Sequence, residues 1–223
     1  MSYTIGILGL GTFGSTIAKT LSKYNCDIIA VDDHDYQVNQ LEAILSRGII
    51  GDITDKDLLR AAGIDSCDAV VVATGENLES SVLAVLHCKS LGVETVIAKV
   101  KSKTMSEVLL KIGADKVISP ERETGVSIAK QLLHRYTTEV IELDDKTSII
   151  EFRPPESWIG KSLVQLKLRQ KYLMNIIAYR DMLTKELNIQ VMPEYVFNTE
   201  ETIVAVATND LVDHFEEFTN RMS

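Results

Sequence analysis

The length, composition and charge of the chain narrow the classes of protein to which it can belong. Its 223 residues exceed the roughly 100–150 of a typical domain, so one full domain with a smaller partner is expected. A hydrophobic content of 45% with 25% charged residues argues against a disordered chain and a disulfide scaffold, and the net charge of −9 disfavours nucleic acid as a partner.

The sequence pattern predicts neither a membrane span nor a secretion signal. Apolar stretches such as residues 69–73 are far shorter than the roughly 20 residues of a membrane-spanning helix. The first residues lack a basic segment followed by an apolar one, so a cytoplasmic location is expected. Cys26, Cys67 and Cys88 form no C-x-x-C pair, which indicates buried thiols instead of a zinc site or disulfides.

From the start of the chain to about residue 120, short apolar runs alternate with amphipathic stretches. This alternation predicts parallel strands with crossover helices, a Rossmann-like doubly wound α/β sheet. Several runs are apolar throughout, which is typical of strands buried on both faces. Gly63 is expected to end a helix that closes at Ala62. The predicted strands are residues 4–8, 27–31, 48–50, 69–73, 96–100 and 116–118.

The remainder of the chain predicts a small α+β domain. A linking helix is expected over residues 121–135, and the domain boundary is placed so that residues 1–138 and 139–223 form the two domains. Asn209 or Asp210 is expected to cap a last helix with one apolar face, formed by Leu211, Phe215, Phe218 and Met222. Predicted elements before it are a helix at 163–169, strands at 148–152 and 175–179, and a hairpin-like pair at 195–197 and 202–207.

A glycine motif of the form G-x-G-x-x-G occupies residues 9–14, directly after the first predicted strand and at the start of a helix. In that context Gly9, Gly11 and Gly14 turn the chain and let its backbone approach a pyrophosphate at the helix N-terminus. Asp32 ends the second strand eighteen positions later, where it can accept hydrogen bonds from both ribose hydroxyls and disfavours NADP. A glycine turn without ligand and a solvated strand-end acid are the alternatives.

The loop after the fourth strand and the four histidines bear on ligand binding and on catalysis. Residues 73–75 follow the fourth strand at the carboxyl edge of the sheet and are expected to line the nucleotide cleft, the alternative being a plain loop capped by Glu76 or Asn77. None of the four histidines belongs to a sequence pattern that supplies catalytic partners, so they are interpreted as surface or packing residues and no catalytic residue is assigned. The four are His34, His87, His134 and His214. Binding is therefore favoured over turnover.

Two other functions use the same nucleotide-binding unit and stay open. The first is a small NAD-dependent oxidoreductase, which would need a substrate and an acid–base residue. The second is a redox sensor that reads NADH, or a transcriptional regulator, although no DNA-reading helix with a basic face is evident in the sequence.

Several motifs in fixed order resemble the RCK (TrkA-N) family. In the first half they are residues 9–14, 31–32, 51–55, 59–64, 69–74, 98–99 and 113–121. Residues 158–163 and 175–178 resemble the RCK C-terminal (TrkA-C) domain, and the two halves together are similar to KtrA-type cytosolic regulatory subunits of bacterial potassium-uptake systems. The resemblance implies a homodimer-based octameric ring that docks on the cytoplasmic face of a membrane-embedded potassium-transporter subunit and changes shape with bound adenine nucleotide.

The resemblance also implies a nucleotide site for ATP/ADP or NAD(H). The family carries an arginine within the glycine motif where this chain has Thr12, a departure that argues against ATP/ADP discrimination and favours NAD(H) or a silent nucleotide site. Lys99 matches a phosphate-proximal lysine, and Glu121 matches a glutamate that helps bind a divalent cation, the alternative being a first-turn helix acid. The implied nucleotide-binding residues are Gly9, Gly11, Thr12, Phe13, Gly14, Asp32, Asp33, Asp52, Ile53, Ala73, Thr74, Gly75 and Lys99.

For the second half, the resemblance implies cyclic di-AMP as an effector bound across a two-fold interface. Arg169 would face phosphate, and the apolar residues would face the bases. The alternative is that these residues form the core and surface of a dimer. The matching positions are Leu163, Val164, Arg169, Asn175, Ile176 and Pro193.

Overall fold

A computed structural model describes residues 3–74, 77–133 and 137–214 of the chain. The chain divides into two compact units, Met1–Glu123 and Thr124–Ser223, and the predicted boundary at 138/139 stays a prediction. Gly75 and His134, as well as Phe215, Phe218 and Met222 of the predicted last helix, lie outside the described residues. Among the helices of those described ranges, none combines the length and apolar character that crossing a bilayer requires.

The first unit contains a six-stranded sheet in which every pair of neighbours is parallel. Its strands are β1 (Tyr3–Leu8), β2 (Cys26–Asp32), β3 (Arg47–Ile50), β4 (Ala69–Val72), β5 (Thr95–Lys99) and β6 (Lys116–Ile118). The order β3-β2-β1-β4-β5-β6 places the topological switch point between β1 and β4. The predicted Rossmann-like doubly wound fold is therefore confirmed.

Five α-helices of the described residues lie between these strands along the chain: α1 (Thr12–Leu21), α2 (Asp35–Leu41), α3 (Lys56–Ala62), α4 (Leu78–Ser90) and α5 (Lys103–Lys111), and short 3₁₀ helices span Glu42–Ile44 and Ile64–Ser66. The next helix, α6 (Pro120–Leu133), begins in the first unit and ends in the second. The Asp55 carboxylate caps α3 by accepting the N–H groups of Asp57 and Leu58. Gly63 ends that helix at φ 91°, as predicted, because a residue without Cβ adopts the left-handed conformation at little cost.

The central strand β4 explains why its sequence is apolar throughout. Side chains alternate between the two faces of a strand, and both faces of this sheet are covered. Val70 and Val72 belong to one buried cluster, whereas Ala69 and Val71 belong to another. Full burial of a valine contributes about 1.5–3 kcal/mol, so two-sided packing makes β1, β2 and β4 a rigid support for the loops at their carboxyl ends.

The second unit contains a five-stranded antiparallel sheet of order β10-β9-β11-β8-β7. Its strands are β7 (Thr137–Glu142), β8 (Thr147–Phe152), β9 (Asn175–Asp181), β10 (Leu187–Asn188) and β11 (Glu201–Thr208), and its short helices are α7 (Leu163–Leu166), α8 (Leu168–Tyr172) and α9 (Asn209–Asp213). Trp158 lies fully buried at the centre, with its ring edge-on to Phe152 and Phe197. The predicted small α+β domain is confirmed.

Three expectations for this unit are wrong. The segment at 195–197 does not pair with β11, because Val196 forms an isolated bridge with Ser162 while β11 pairs with β8 and β9. The predicted helix at 163–169 breaks at Lys167, whose φ of 53° separates α7 from α8. The last helix is capped by neither Asn209 nor Asp210, since the Thr208 hydroxyl accepts the Leu211 N–H.

Candidate functional site

A cleft of about 230 Å³ opens at the carboxyl ends of β1, β2 and β4, next to the switch point of the first sheet. Six of the predicted nucleotide-binding residues line it: Gly9, Asp32, Asp33, Asp52, Ile53 and Thr74. The cleft also includes Gly51, Asn77 and Ser80, which the sequence analysis did not assign to a ligand. Gly51 follows β3, whereas Asn77 and Ser80 lie at the start of α4, so these residues come from loops on both sides of the glycine motif.

The glycine turn that closes one end of the cleft needs two of its glycines for steric reasons. Gly9 has φ 97°, and an added Cβ there would lie 2.8 Å from the Thr74 Cγ2 atom. A Cβ on Gly14 would overlap the carbonyl oxygen of Gly9, so a side chain at that position pushes α1 away from the turn. A Cβ on Gly11 would meet no atom within 4 Å, so the space above this residue is open to a ligand.

Asp32 clamps the glycine turn to the end of β2. Its carboxylate is almost fully buried and accepts the Leu10 N–H at 2.5 Å and the His34 N–H at 2.9 Å. A carboxylate has about four lone-pair sites, so these two bonds leave acceptor capacity for hydroxyl groups in the cleft. Asp32 can thus hold the loop and still bind a sugar.

The lining of the cleft is acidic. Asp32, Asp33 and Asp52 contribute carboxylates, and no lysine or arginine lines the part of the cleft formed by described residues. The Thr54 backbone N–H, at 2.8 Å from the Asp52 carboxylate, lowers the pKa of Asp52 and keeps it ionised. This cleft favours hydrogen-bond donors such as ribose hydroxyls, and a phosphate is best accommodated over Gly11 at the N-terminus of α1.

The loop that carries Asp52 is joined to α4 by a histidine. The Nε2 atom of His87 lies 3.0 Å from the carbonyl oxygen of Thr54, within hydrogen-bonding distance. Because Asp52 and Ile53 on this loop line the cleft together with Asn77 and Ser80 of the α4 start, His87 connects two walls of the same cavity. This agrees with the prediction that His87 has a packing role.

Among the described residues, the other predicted nucleotide residues do not line the cleft. Thr12, Phe13 and Gly14 open α1, and Ala73 is buried just after β4. Lys99 ends β5, with its ammonium 5.8 Å from the centre of the Phe13 ring and 2.7 Å from the Glu121 carboxylate. The hydrogen bond from Lys99 lowers the pKa of Glu121. Lys99 and Glu121 therefore form an ion pair, and the Lys99 ammonium also lies near the ring of Phe13 in the glycine motif.

His34 has acidic partners, contrary to the expectation of an unpartnered histidine. Its Nδ1 atom lies 2.5 Å from an Asp33 oxygen and 3.3 Å from an Asp32 oxygen. Within the described part of the chain, these three residues are the one group whose ligand atoms approach closely enough to share a metal ion, and Glu121 belongs to no such group. The hydrogen bond and charge of Asp33, followed by those of Asp32, raise the pKa of His34.

The pKa of His34 gives a testable pH dependence. A raised folded-state pKa means that protonation favours the folded chain below the unfolded pKa of about 6.5, and this contribution is lost as pH rises through the higher folded value. We expect the titration midpoint of the His34 ring resonances, followed by NMR, to lie above the usual pKa of histidine. In Asp33→Asn this midpoint should fall back toward the usual value. Identical titration midpoints in the two proteins would contradict the pairing.

A second cavity, of about 520 Å³, lies within the second unit. All six residues predicted for the effector line it: Leu163, Val164, Arg169, Asn175, Ile176 and Pro193. Its other lining residues are Lys167, Leu168, Gln170, Met174 and Val191, none of which the sequence analysis assigned. The lining contains two cationic side chains and no carboxylate, although the chain as a whole carries a net charge of −9.

The wall of this cavity is fixed by backbone and aromatic contacts. Leu163 and Val164 donate their N–H groups to the carbonyl oxygens of Tyr195, at 3.1 Å, and Pro193, at 3.3 Å. The Tyr195 ring stacks on Tyr179 at a centroid distance of 4.7 Å, and its hydroxyl donates to Glu201. This anchoring accounts for the register in which 195–197 runs beside α7 instead of β11.

Comparisons with known proteins agree on one family. A family model described as the TrkA-N domain matches residues 5–120. The chain is 32% identical over 217 residues to the Ktr system potassium uptake protein C of Bacillus subtilis (strain 168), covering 97% of each chain. It is 30% identical over 210 residues to the Ktr system potassium uptake protein A of the same organism, covering 94% of each.

Solved structures match the fold. The GsuK RCK domain superposes with a TM-score of 0.67 at 22% identity, covering 97% of this chain and 47% of that one. The GsuK channel bound to NAD superposes with a TM-score of 0.68 at 21% identity, covering 98% of this chain and 40% of that one. This chain thus spans less than half the length of these two structural relatives.

Proposed function

The chain belongs to the TrkA-N domain family and, along nearly its whole length, to the Ktr potassium uptake proteins, and from this membership we propose that it is the regulatory subunit that gates a membrane-embedded potassium transporter. The observation that carries the proposal is that the relatives match both units, not the Rossmann-type unit alone. The protein would lie in the cytoplasm and bind the inner face of its membrane partner as a ring, an octamer assembled from homodimers.

The acidic cleft of the first unit would bind an adenine nucleotide, ATP/ADP or NAD(H). Ribose hydroxyls would donate to Asp32, and the phosphates would lie over Gly11, where no Cβ fills the space. Thr12 in place of the family arginine favours NAD(H), and a structure with the same fold is described as bound to NAD. Nucleotides would gate by binding the two ring shapes with different affinity.

The cationic cavity of the second unit would bind cyclic di-AMP. The phosphates would meet Arg169, and the bases would lie against Leu163, Ile176 and Pro193. Glu121 has Lys99 as its partner within the chain, so a divalent cation at Glu121 would need further ligands from a second subunit. In this proposal the chain has no catalytic residue and acts through binding.

Calorimetry on the purified full chain tests the binding claims. We expect saturable binding of NADH or ATP, and separately of cyclic di-AMP, with Arg169→Gln weakening the latter about tenfold to a hundredfold and leaving the nucleotide affinity unchanged. Co-expression with a membrane-embedded potassium-transporter subunit should restore potassium uptake to a deficient strain. Absence of all binding would refute the sensing role, and NADH turnover with a substrate panel would favour an oxidoreductase.

A further inference from the structure

The backbone of Lys167 has a conformation that lysine rarely adopts. It lies in the left-handed region at φ 53° and ψ 38°, where the Cβ of an L-residue is crowded. Among the described residues, positive φ values outside glycine occur at Lys167, Leu173 and Lys185. Lys167 and Leu173 flank α8, which is the helix that carries Arg169 into the cationic cavity.

The fold requires this backbone conformation but not a lysine. The Lys167 N–H donates to the Leu163 carbonyl at 3.1 Å, and the Lys167 carbonyl accepts the N–H groups of Gln170 and Lys171 at 3.0 Å, so the residue ends α7 and begins α8. Glycine adopts the left-handed conformation at such a junction without strain. Lys185 differs, because it lies in the turn between β9 and β10 and does not line the cavity.

Within the part of the chain that the structure describes, the side chain of Lys167 reaches no counterion. It is exposed and lines the cavity beside Arg169, and the ion pairs of the described residues include neither of them. The strained backbone of Lys167 thus carries a positive charge without an ion-pair partner among the described residues, in a cavity lined by no carboxylate. Strained backbone that persists at a pocket rim is typical of residues kept for ligand contact.

We propose that Lys167 is a specificity-determining residue of this cavity, which contacts the phosphate of an anionic dinucleotide together with Arg169. The inference rests on the proposed function of the second unit and extends it. Arg169 would offer a planar fork of donors, whereas Lys167 would offer a compact charge that selects the phosphodiester over an uncharged ligand of similar shape. The fold sets the left-handed backbone conformation at this junction, and the ligand would use the ammonium group of the lysine found there.

The test compares Lys167→Gly and Lys167→Gln with Lys171→Gln, a matched control on α8 that is exposed and does not line the cavity. Cyclic di-AMP binding is measured by calorimetry and the Tm by calorimetric unfolding of each full chain. We expect Lys167→Gly to raise the Tm because it relieves the left-handed strain, yet to weaken binding about tenfold. Lys167→Gln should weaken binding similarly with little change in Tm, and Lys171→Gln should change neither.

The binding measurements distinguish a failure of the proposed effector from a failure of the role of Lys167. A wild-type chain that does not bind cyclic di-AMP overturns the proposed effector and this inference together. A wild-type chain that binds it, with Lys167→Gly and Lys167→Gln binding equally well, overturns the role of Lys167 alone. A rise in Tm combined with a loss of affinity in Lys167→Gly is a result that a purely structural role would not produce.

Discussion

Replacing Gly14 by alanine is expected to lower the free energy of unfolding by about 3 kcal/mol and to abolish nucleotide binding. The added methyl group would overlap the carbonyl oxygen of Gly9 and press on the Ala73 side chain at 3.1 Å. Neither neighbour can withdraw, because the Gly9 N–H donates to the Val31 carbonyl at 2.8 Å and Ala73 is buried. Denaturant unfolding and calorimetry with NADH or ATP measure the two effects.

Gly11→Ala is the matched control from the same motif. A Cβ at Gly11 meets no protein atom within 4 Å, and its φ of −58° suits any residue, so stability should change by less than about 0.5 kcal/mol. Nucleotide affinity should still fall, since the methyl group enters the space proposed for phosphate. Equal loss of stability in both variants would contradict the steric account of Gly14. Wild-type nucleotide affinity in Gly11→Ala would show that phosphate does not lie over this turn.

Asp32→Asn is expected to weaken nucleotide binding about a hundredfold and to lower the free energy of unfolding by about 1–3 kcal/mol. The carboxylate accepts two backbone N–H groups, from Leu10 and His34. An amide has a single acceptor oxygen, so one of these donors would face the new NH₂ group without an acceptor, and the charge that binds ribose hydroxyls would be lost. Calorimetry and denaturant unfolding again separate the two losses.

Asp33→Asn provides the comparison. Its side chain is 72% exposed and pairs with His34, so its removal should alter stability by less than about 0.5 kcal/mol. Nucleotide affinity should change less than in Asp32→Asn, because Asp33 lines the cleft but holds no part of the glycine turn. An Asp32→Asn protein as stable and as tightly binding as Asp33→Asn would show that the buried carboxylate is not the ribose ligand.

The first unit could be predicted well from sequence because its signals are local. Doubly buried strands produce unbroken apolar runs, and the glycine motif with Asp32 follows directly from the ends of β1 and β2. Gly51, Asn77 and Ser80 were missed as cleft residues because they reach the site from two separate segments, Gly51 from the loop after β3 and the other two from the start of α4. Their residue types, typical of turns and helix caps, carried no distinct ligand signal.

The second unit was harder to predict because its pairings depend on distant segments. Tyr195 and Phe197 show the alternation of a strand, yet their backbone groups bond to residues within 160–163, and aromatic packing on Trp158 explains the apolar residues. The break at Lys167 was invisible because lysine is a good helix former and no glycine or proline marks the junction. The residues proposed for the effector site were predicted from the family resemblance. Lys167 was missed because only its backbone conformation in the folded chain distinguishes it.

The opposite charge of the two cavities has a consequence for how dissolved ions act on the protein. The Debye length shrinks from about 10 Å at 0.1 M ionic strength to about 3 Å at 1 M, which screens interactions at an exposed cavity mouth. Screening weakens the attraction between an anion and the Lys167–Arg169 rim, but it also relieves the repulsion between nucleotide phosphates and the three aspartates of the other cleft. Under the proposed function, a rising concentration of potassium salt would therefore shift the two affinities in opposite directions, so the ion being transported would alter the balance between the two ligands.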